Sequence, residues 1–262
     1  MFHRVITLTT DFGTDSPYVA QMKASILAIN VEARIVDITH AIPAQQISQG
    51  VAALRDTIFY FPPDTIHVAV VDPGVGTNRP ILLAQFGSQW VIAPDNGLIG
   101  GLAIHEPPRT VYSISNQDLW RQPLSNTFHG RDIMAPVAAH LSGGVPHENV
   151  GPKTTNYKTP DWPMTERQGA SLLGEVVWID HFGNLITNIS RNDCTTFNHE
   201  NCTICCRNQE WTGIVATYGV RPIGSRVALF GSNNHLELAI SCGNAARALG
   251  IKLGDTVTLS PR

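Results

Sequence analysis

The sequence predicts an α/β domain with a mostly parallel sheet, followed by an all-β barrel. In the first part, short β-branched runs alternate with stretches of helical apolar spacing, which is typical of a sheet covered on both faces. In the last part, short strand-like runs follow one another between Gly-rich turns, which is typical of a small sandwich or barrel. Between the two, residues 143–168 lose this periodicity and are rich in proline and polar residues. We therefore predict domains at residues 1–165, including this linker, and at residues 170–262.

The individual elements follow from the same patterns. In the first domain the predicted strands are residues 5–9, 34–38, 65–71, 80–86 and 89–93, and the predicted helices are residues 19–29, 47–61 and 132–141. In the second domain the predicted strands are residues 174–179, 202–206, 213–217, 226–230, 235–240 and 256–259, with one helix at residues 244–249.

Composition excludes several classes of protein. Of the 262 residues, 43% are hydrophobic and 15% are charged, as in a folded soluble protein. The formal net charge of −3 does not favour nucleic acid or an anionic membrane as a partner. No apolar run approaches the ~20 residues that span a bilayer. Residues 1–3 run directly into the first strand pattern without the features of a leader peptide, so we expect a cytoplasmic protein.

All five cysteines fall in the last third of the chain. Cys202, Cys205 and Cys206 are close enough to suggest a metal knuckle, but a strong zinc signal needs a second ligand pair, and only His199 is near. The pattern favours reduced cysteines in a loop or strand over a metal site. The chain also lacks HExxH, GxGxxG, GxSxG and phosphate-loop motifs. We therefore predict neither a metal nor a cofactor.

Polar residues followed by glycine stand at the ends of three predicted strands. They centre on Asp11, on Asp72 with Arg79 shortly after it, and on Asp95. The carboxyl ends of strands form the ligand crevice of open α/β sheets. Because Asp-Gly and Asn-Gly are also ordinary turns, each cluster alone admits a purely structural interpretation.

A further candidate is His129, which stands beside a glycine at the start of a predicted helix. A histidine in this position can face a pocket. Alternatively, Thr127 or Asp132 caps the helix and His129 is incidental. The residues alone leave these two interpretations equal.

Taken in order, these motifs resemble one known family along nearly the whole chain. They are Thr10-Asp11-Phe12-Gly13, Asp37-Ile38-Thr39-His40, Val71-Asp72-Pro73-Gly74-Val75-Gly76, Arg79, Asp95-Asn96-Gly97-Leu98, Thr127-Phe128-His129-Gly130-Arg131-Asp132, Asp180-His181-Phe182-Gly183-Asn184 and Ser232-Asn233-Asn234-His235-Leu236-Glu237. The set resembles the S-adenosylmethionine hydroxide adenosyltransferases, or adenosine-forming SAM hydrolases, which are related to the fluorinase and chlorinase.

The resemblance implies an activity and an assembly. The expected reaction is hydrolysis of S-adenosyl-L-methionine to adenosine and L-methionine, so these three molecules are the expected partners. The family forms homotrimers, with each site between the N-terminal domain of one subunit and the C-terminal domain of the next. Its Asp-Arg-His catalytic set falls on Asp72, Arg79 and His129.

The resemblance also implies the substrate-binding residues. Asp11 matches the residue that binds the ribose, and Phe182 and Asn184 match residues at the adenine. The residues that hold the methionine end fall on Asp180 and Ser232, and Glu237 belongs to the same substrate-binding set.

Two other functions remain open. A SAM-dependent halogenase is disfavoured because halogenating relatives carry a tyrosine at the position of Asp72 and lack the arginine–histidine pair. Those relatives also carry an arginine beside the serine, where this chain has Asn233. A non-catalytic adenosine or SAM sensor would keep Asp11, Phe182 and Asn184 but would not need the Asp-Arg-His set.

Overall fold

The computed structural model describes residues 4–262, and the predicted continuation of residues 1–3 into the first strand lies outside this range. The chain divides into two compact units, one ending at Asp161 and the other beginning at Trp162. Within the described residues, no helix is both long and apolar enough to cross a membrane.

Strands and helices alternate in the first unit. Its elements are β1 (Val5–Thr10), α1 (Tyr18–Ile29), β2 (Arg34–Thr39), α2 (Ile47–Arg55), β3 (Ile66–Val70), β4 (Ile81–Phe86), β5 (Gln89–Pro94), α3 (Leu98–Ala103), β6 (Thr110–Ser113) and α4 (Ala135–Ser142). Every residue of β3 is buried, because this strand lies inside the sheet and is covered on both faces.

The sheet of this unit is mixed, with the strand order β2-β1-β3-β5-β4-β6. The pairs β1–β2, β1–β3 and β3–β5 are parallel, whereas β4 pairs antiparallel with β5 and with β6. The prediction of a mostly parallel sheet therefore fails at β4 and β6. Only Gly87 and Ser88 connect β4 to β5, and two residues can form a hairpin but cannot make the crossover that a parallel pair requires.

The helix predicted at residues 47–61 is shorter in the structure. It ends at Arg55, and a separate 3-10 turn follows at Ile58–Tyr60. Thr57 leaves the helical region, with φ −130°. This break turns Ile58 into the core, where the residue is fully buried.

The second unit is built almost entirely of strands. Its elements are β7 (Glu166–Gln168), β8 (Ser171–Ile179), β9 (Leu185–Ser190), β10 (Cys202–Cys206), β11 (Gln209–Thr212), β12 (Arg226–Phe230), β13 (His235–Ile240), α5 (Ala245–Leu249) and β14 (Thr256–Pro261). Its paired strands run antiparallel in the order β11-β10-β14-β8-β9-β13-β12, and β7 pairs with β8.

This sheet is barrel-like and nearly closed, because its two outer strands approach one another. The guanidinium of Arg226 in β12 donates hydrogen bonds to the Glu210 carbonyl and to the Gln209 side chain, both in β11. The strand predicted at residues 213–217 is wrong. Gly213 has φ +68° and ends β11, so the strand precedes this glycine instead of following it.

The cysteines of β10 belong to the core of this unit. Side chains of a strand alternate between its two faces, so Cys202 and Cys206 are buried while Cys205 is exposed. Cys194 is also buried, and burial raises the pKa of its thiol to about 12. All five cysteines are free thiols. Among residues 4–262, no group of three or more His, Cys, Asp or Glu side chains is arranged to hold a metal ion.

Candidate active site

A cleft of about 580 Å³ opens in the first unit at the carboxyl ends of two neighbouring parallel strands. Asp11 follows β1 directly, Asp72 lies two residues beyond β3, and both line the cleft together with His129. Residues far apart in sequence meet here because parallel strands place their carboxyl ends at one edge of the sheet. The cleft therefore brings together three of the predicted site residues.

Asp72 and Arg79 form a buried, two-pronged ion pair. Nε of Arg79 donates to Oδ1 of Asp72 at 2.7 Å, and Nη2 of Arg79 contacts Oδ2. Their side chains are only 4% and 5% exposed, respectively. A guanidinium matches a carboxylate in this geometry, and the pairing compensates each charge for its loss of water. Arg79 is thus placed behind Asp72 as its fixed counter-ion.

His129 is the third member of this group and lies beside Arg79. Its Nδ1 lies 3.4 Å from Nη2 of Arg79. Since arginine can only donate hydrogen bonds, Nδ1 must be the unprotonated ring nitrogen in this contact. Burial lowers the pKa of His129, and the Arg79 cation lowers it further, although Asp72 and Asp132 act in the opposite direction. The imidazole is therefore neutral at neutral pH.

The loop between Asp72 and Arg79 is shaped by Gly76. This residue has φ +81°, and a Cβ atom there would lie 2.5 Å from the carbonyl oxygen of Asn126. The loop consequently lies against the chain just before His129. Glycine suits this position because it adopts a positive φ without strain and has no side chain to overlap with Asn126.

The segment that carries His129 is anchored by Asp132. This side chain is fully buried and accepts hydrogen bonds from Arg121, Arg131 and the Ser125 backbone N–H. Burial would raise the pKa of Asp132, but these hydrogen bonds bring it below its usual value. A π-helical turn, Gly130–Met134, follows His129 and leads into α4. Asp132 therefore braces the preceding loop, and His129 is free to face the cleft.

Within residues 4–262, one carboxylate oxygen of Asp11 has a hydrogen-bond partner. Its Oδ2 accepts a hydrogen bond from the backbone N–H of Gln45 at 2.8 Å, and Gln45 adopts a left-handed conformation with φ +66°. Next to Asp11, the rings of Phe12, Tyr18 and Phe128 meet edge to face, with centroids 5.3 to 5.7 Å apart. Oδ1 of Asp11 is the oxygen left for a ligand hydroxyl, beside an aromatic wall.

The cluster at Asp95 has the structural role that the sequence left open. Asp95 accepts a hydrogen bond from the Lys158 backbone N–H at 2.7 Å, and Asn96 donates to the Val71 carbonyl at 2.8 Å. These polar atoms hold neighbouring backbone segments. Asp95 and Asn96 therefore stabilise the backbone near the strand ends, and neither is among the described residues that line the cleft.

A second cleft, of about 550 Å³, lies in the barrel-like unit and contains three more predicted residues. Asp180, Phe182 and Asn184 line it. Asp180 accepts hydrogen bonds from the backbone and side-chain nitrogens of Asn184, at 2.8 and 2.9 Å. Phe182 is 72% exposed, which is unusual for a phenylalanine and leaves its ring available to a ligand.

Gly183 gives this turn its shape. It has φ +84°, and a Cβ atom there would lie 2.1 Å from the side chain of Asn244. Asn244 also lines the cleft and caps α5 by accepting a hydrogen bond from the Arg247 backbone N–H. The turn and the helix start are therefore packed directly against each other.

The last two predicted residues lie elsewhere in the same unit. Glu237 is buried and accepts a hydrogen bond from the hydroxyl of Tyr218, which itself lines the cleft. Ser232 lies in the exposed turn between β12 and β13. Neither Glu237 nor Ser232 is among the described residues that line the second cleft.

Sequence reasoning missed several residues of the two clefts. In the first unit these are the aromatic residues Tyr18 and Phe128 and the left-handed Gln45, and in the second they are Tyr218 and Cys242. Phe128 lies next to His129, so an aromatic beside a polar motif was an available signal. Tyr218 lies in a loop without periodicity and could not be assigned before the fold placed it.

The fold and clefts define an enzyme built from an α/β unit and an antiparallel, barrel-like unit, with a buried ion pair beside a neutral imidazole. The model of the SAM hydroxide adenosyltransferase N-terminal domain matches residues 6–151, and that of the C-terminal domain matches residues 174–258. The chain belongs to the SAM hydroxide adenosyltransferase family.

Individual relatives agree with this membership. The chain is 35% identical to a protein named (R)-S-adenosyl-L-methionine hydrolase from Thermus thermophilus, with 98% of this chain and 99% of the relative covered. It superimposes with a TM-score of 0.92 on the crystal structure of an uncharacterized conserved protein from Thermotoga maritima, at 32% identity over 97% of this chain and 99% of the other. A fluorinase from Actinoplanes sp. is more distant, at 29% identity over 98% of this chain and 97% of the relative.

Proposed function

We propose that the protein hydrolyses S-adenosyl-L-methionine to adenosine and L-methionine. The observation that carries the proposal is that Asp72 and His129 line one cleft beside Asp11, while Arg79 is hydrogen-bonded to Asp72 and lies near His129. The similarity of the chain to a protein named (R)-S-adenosyl-L-methionine hydrolase, over nearly its whole length, also supports the proposal. A buried charge pair in contact with a neutral imidazole can activate a water molecule. A non-catalytic nucleoside sensor would not need this group.

In the proposed reaction, a water oxygen attacks C5′ of the ribose in line with the departing sulfur. The C5′–O bond forms and the C5′–S bond breaks. The sulfur keeps the bonding electron pair and becomes the neutral thioether of methionine, and the water loses one proton. Because a sulfonium is already a good leaving group, the protein need only orient and activate the water.

The site residues then have distinct roles. In the proposed site a water takes the place of the direct 3.4 Å contact between Nη2 of Arg79 and Nδ1 of His129. The water then accepts a hydrogen bond from the guanidinium, which stabilises developing hydroxide, and gives its proton to the unprotonated Nδ1. Asp72 holds Arg79 in place, and its carboxylate oxygens can also accept a hydrogen bond from the water. Asp11 binds the ribose hydroxyls with its remaining oxygen.

The barrel-like unit supplies the rest of the proposed site. We assign the adenine to Phe182 and Asn184 and the methionine end to Asp180 and Ser232. The exposed ring of Phe182 supports the adenine assignment. We also propose domain limits at residues 1–165 and 170–262, and a homotrimer in which each site combines the N-terminal domain of one subunit with the C-terminal domain of the next. Free thiols support a reducing, cytosolic location.

The reaction is tested by incubating the protein with S-adenosyl-L-methionine in ¹⁸O-labelled water containing EDTA. We expect chromatography and mass spectrometry to reveal adenosine that carries the label in its 5′-hydroxyl and methionine without label. EDTA should not slow turnover, because no metal is proposed. Unchanged substrate would overturn the proposal in favour of a non-catalytic SAM- or adenosine-binding protein.

A halogenase is the second candidate because a fluorinase is among the relatives. The same incubation with added fluoride or chloride tests it. A 5′-halogenated nucleoside in place of adenosine would establish halogenation. We expect adenosine in both salts, since Asp72, Arg79 and His129 occupy the space around the attacking atom with groups suited to water.

A further inference from the structure

We propose that Glu237 is a positioning residue that acts through Tyr218 to fix one wall of the cleft in the barrel-like unit. Tyr218 lines this cleft, and its hydroxyl donates a hydrogen bond to Oε1 of Glu237. The inference rests on the proposed function for the identity of the ligand, which is the adenosine part of the substrate. It gives Glu237 an indirect role instead of a direct contact with the substrate.

Glu237 is placed to act as a rigid anchor. It lies on β13, which pairs with β9 on one side and with β12 on the other. Its side chain is 6% exposed, and a Cβ atom at Gly231 would lie 2.6 Å from its Oε2. The glycine therefore provides the space in which the carboxylate lies. A carboxylate enclosed in this way needs hydrogen-bond donors, and Tyr218 supplies one.

Tyr218, in contrast, lies on a part of the chain with little support of its own. It begins a 3-10 turn, Tyr218–Val220, in which no residue is buried. Residues 216–224 are all exposed, including the apolar side chains of Val220 and Ile223. Exposed turns of this kind have low local stability. The bond to Glu237 ties the ring to the sheet and limits where it can lie in the cleft.

Electrostatics favour the same arrangement. Although Tyr218 as a whole residue is 38% exposed, partial burial raises the pKa of its hydroxyl, and the hydrogen bond to Glu237 raises it further. The hydroxyl therefore stays protonated and remains a donor. Burial also raises the pKa of Glu237. The hydrogen bond from Tyr218 acts in the opposite direction, and the nearby charge of Asp180 adds to the increase. Asp180, which lines the cleft, is thus electrostatically linked to both members of the pair.

The test is calorimetric titration of the full-length protein with adenosine, which measures affinity independently of turnover. Tyr218→Phe and Glu237→Leu each remove the hydrogen bond, and we expect each to weaken adenosine binding about tenfold. The double variant should also be weakened about tenfold, since both changes remove the same interaction. Glu237→Gln should bind within about twofold of wild type because its amide oxygen can still accept from Tyr218.

Thr187→Val is the matched structural control. Thr187 is fully buried on β9 and donates a hydrogen bond to the Leu236 carbonyl on β13. We expect this variant to melt earlier than wild type without a change in adenosine affinity. A Glu237→Leu protein that binds adenosine as wild type does, or single effects that multiply in the double variant, would overturn the inference. So would a wild-type protein that does not bind adenosine. A wild type that binds adenosine but leaves S-adenosyl-L-methionine intact would contradict only the proposed function.

Discussion

At the scale of single residues, the first cleft depends on one arginine with two neighbours. Arg79 holds Asp72 with two hydrogen bonds and places its Nη2 near the free nitrogen of His129. Burial lowers the pKa of His129, and a guanidinium in this position lowers it further. Lysine would supply the charge without the two-pronged geometry.

We predict that Arg79→Ala lowers kcat far more than it weakens adenosine binding. Loss of one preorganised electrostatic group typically costs about 10²–10³ in rate. Asp11→Ala should do the opposite and weaken adenosine binding directly, because the proposed contact between Asp11 and the ribose would also exist in the ground state. Steady-state kinetics and calorimetry with adenosine compare the two variants.

The control for this pair addresses stability. Arg79→Ala leaves the Asp72 carboxylate buried without its partner, which destabilises the fold. Arg79→Lys keeps a cation there and should retain more stability than activity. If the Arg79→Ala protein melted earlier and lost adenosine affinity to a matching extent, Arg79 would be a structural ion-pair residue. Its proposed catalytic role would then be wrong.

The neutral state of His129 predicts the pH dependence of the reaction. The ring must be unprotonated to accept a hydrogen bond from Arg79, and its pKa is lowered from 6.5 by burial and by the Arg79 cation. Activity should therefore fall on acidification with a midpoint below pH 6.5, as protonation removes the acceptor. A pH profile of kcat/KM measures this limb. His129→Gln should be slow and lack it, and an unchanged acid limb in that variant would assign the titration to another group.

At the scale of elements, the turn from Asp180 to Asn184 is tightly constrained by the backbone of Gly183 and by Asn244. We predict that Gly183→Ala destabilises the protein by more than about 1–3 kcal/mol, because it combines a left-handed backbone with overlap against Asn244. Adenosine binding should weaken as Phe182 and Asn184 shift. Denaturant unfolding and adenosine titration measure the two effects.

Gly169→Ala provides the comparison for this turn. Gly169 also has a positive φ, of +60°, but a Cβ atom there would meet nothing within 4 Å. This variant should therefore show the backbone strain alone and bind adenosine normally. Equal losses of stability in the two variants would mean that contact with Asn244 does not matter.

At the scale of the whole molecule, a complementation experiment tests the proposed homotrimer. The proposed shared site requires an intact N-terminal domain from one subunit and an intact C-terminal domain from the next. Co-expression of Arg79→Ala chains with Asn184→Ala chains should then restore about a quarter of the sites, since half of the domains of each kind remain intact in a random closed ring. Light scattering should give about three times the 28.5 kDa chain mass. A monomeric mass with full activity would contradict the shared site.

Many elements could be predicted from the sequence because their patterns are local. The strands at Val5–Thr10, Arg226–Phe230 and His235–Ile240 and the helix at Tyr18–Ile29 lie where β-branched runs or apolar spacing predicted them. The strand at Leu185–Ser190 escaped prediction because two polar residues, Thr187 and Asn188, interrupt its apolar run. Thr187 lies inside because its hydroxyl reaches the Leu236 carbonyl, a contact that only the folded sheet provides.

The sequence by itself determined the family, because the ordered motifs around Asp11, Asp72, His129 and Asp180 resemble one family over nearly the whole chain. Only the tertiary structure decided what each of them touches. It placed Arg79 on Asp72 and beside His129, assigned Asp95 to backbone support, and buried Glu237 behind Tyr218. The physical reason is that spacing along a chain fixes local conformation, whereas hydrogen-bond partners and burial depend on long-range packing, which no local pattern encodes.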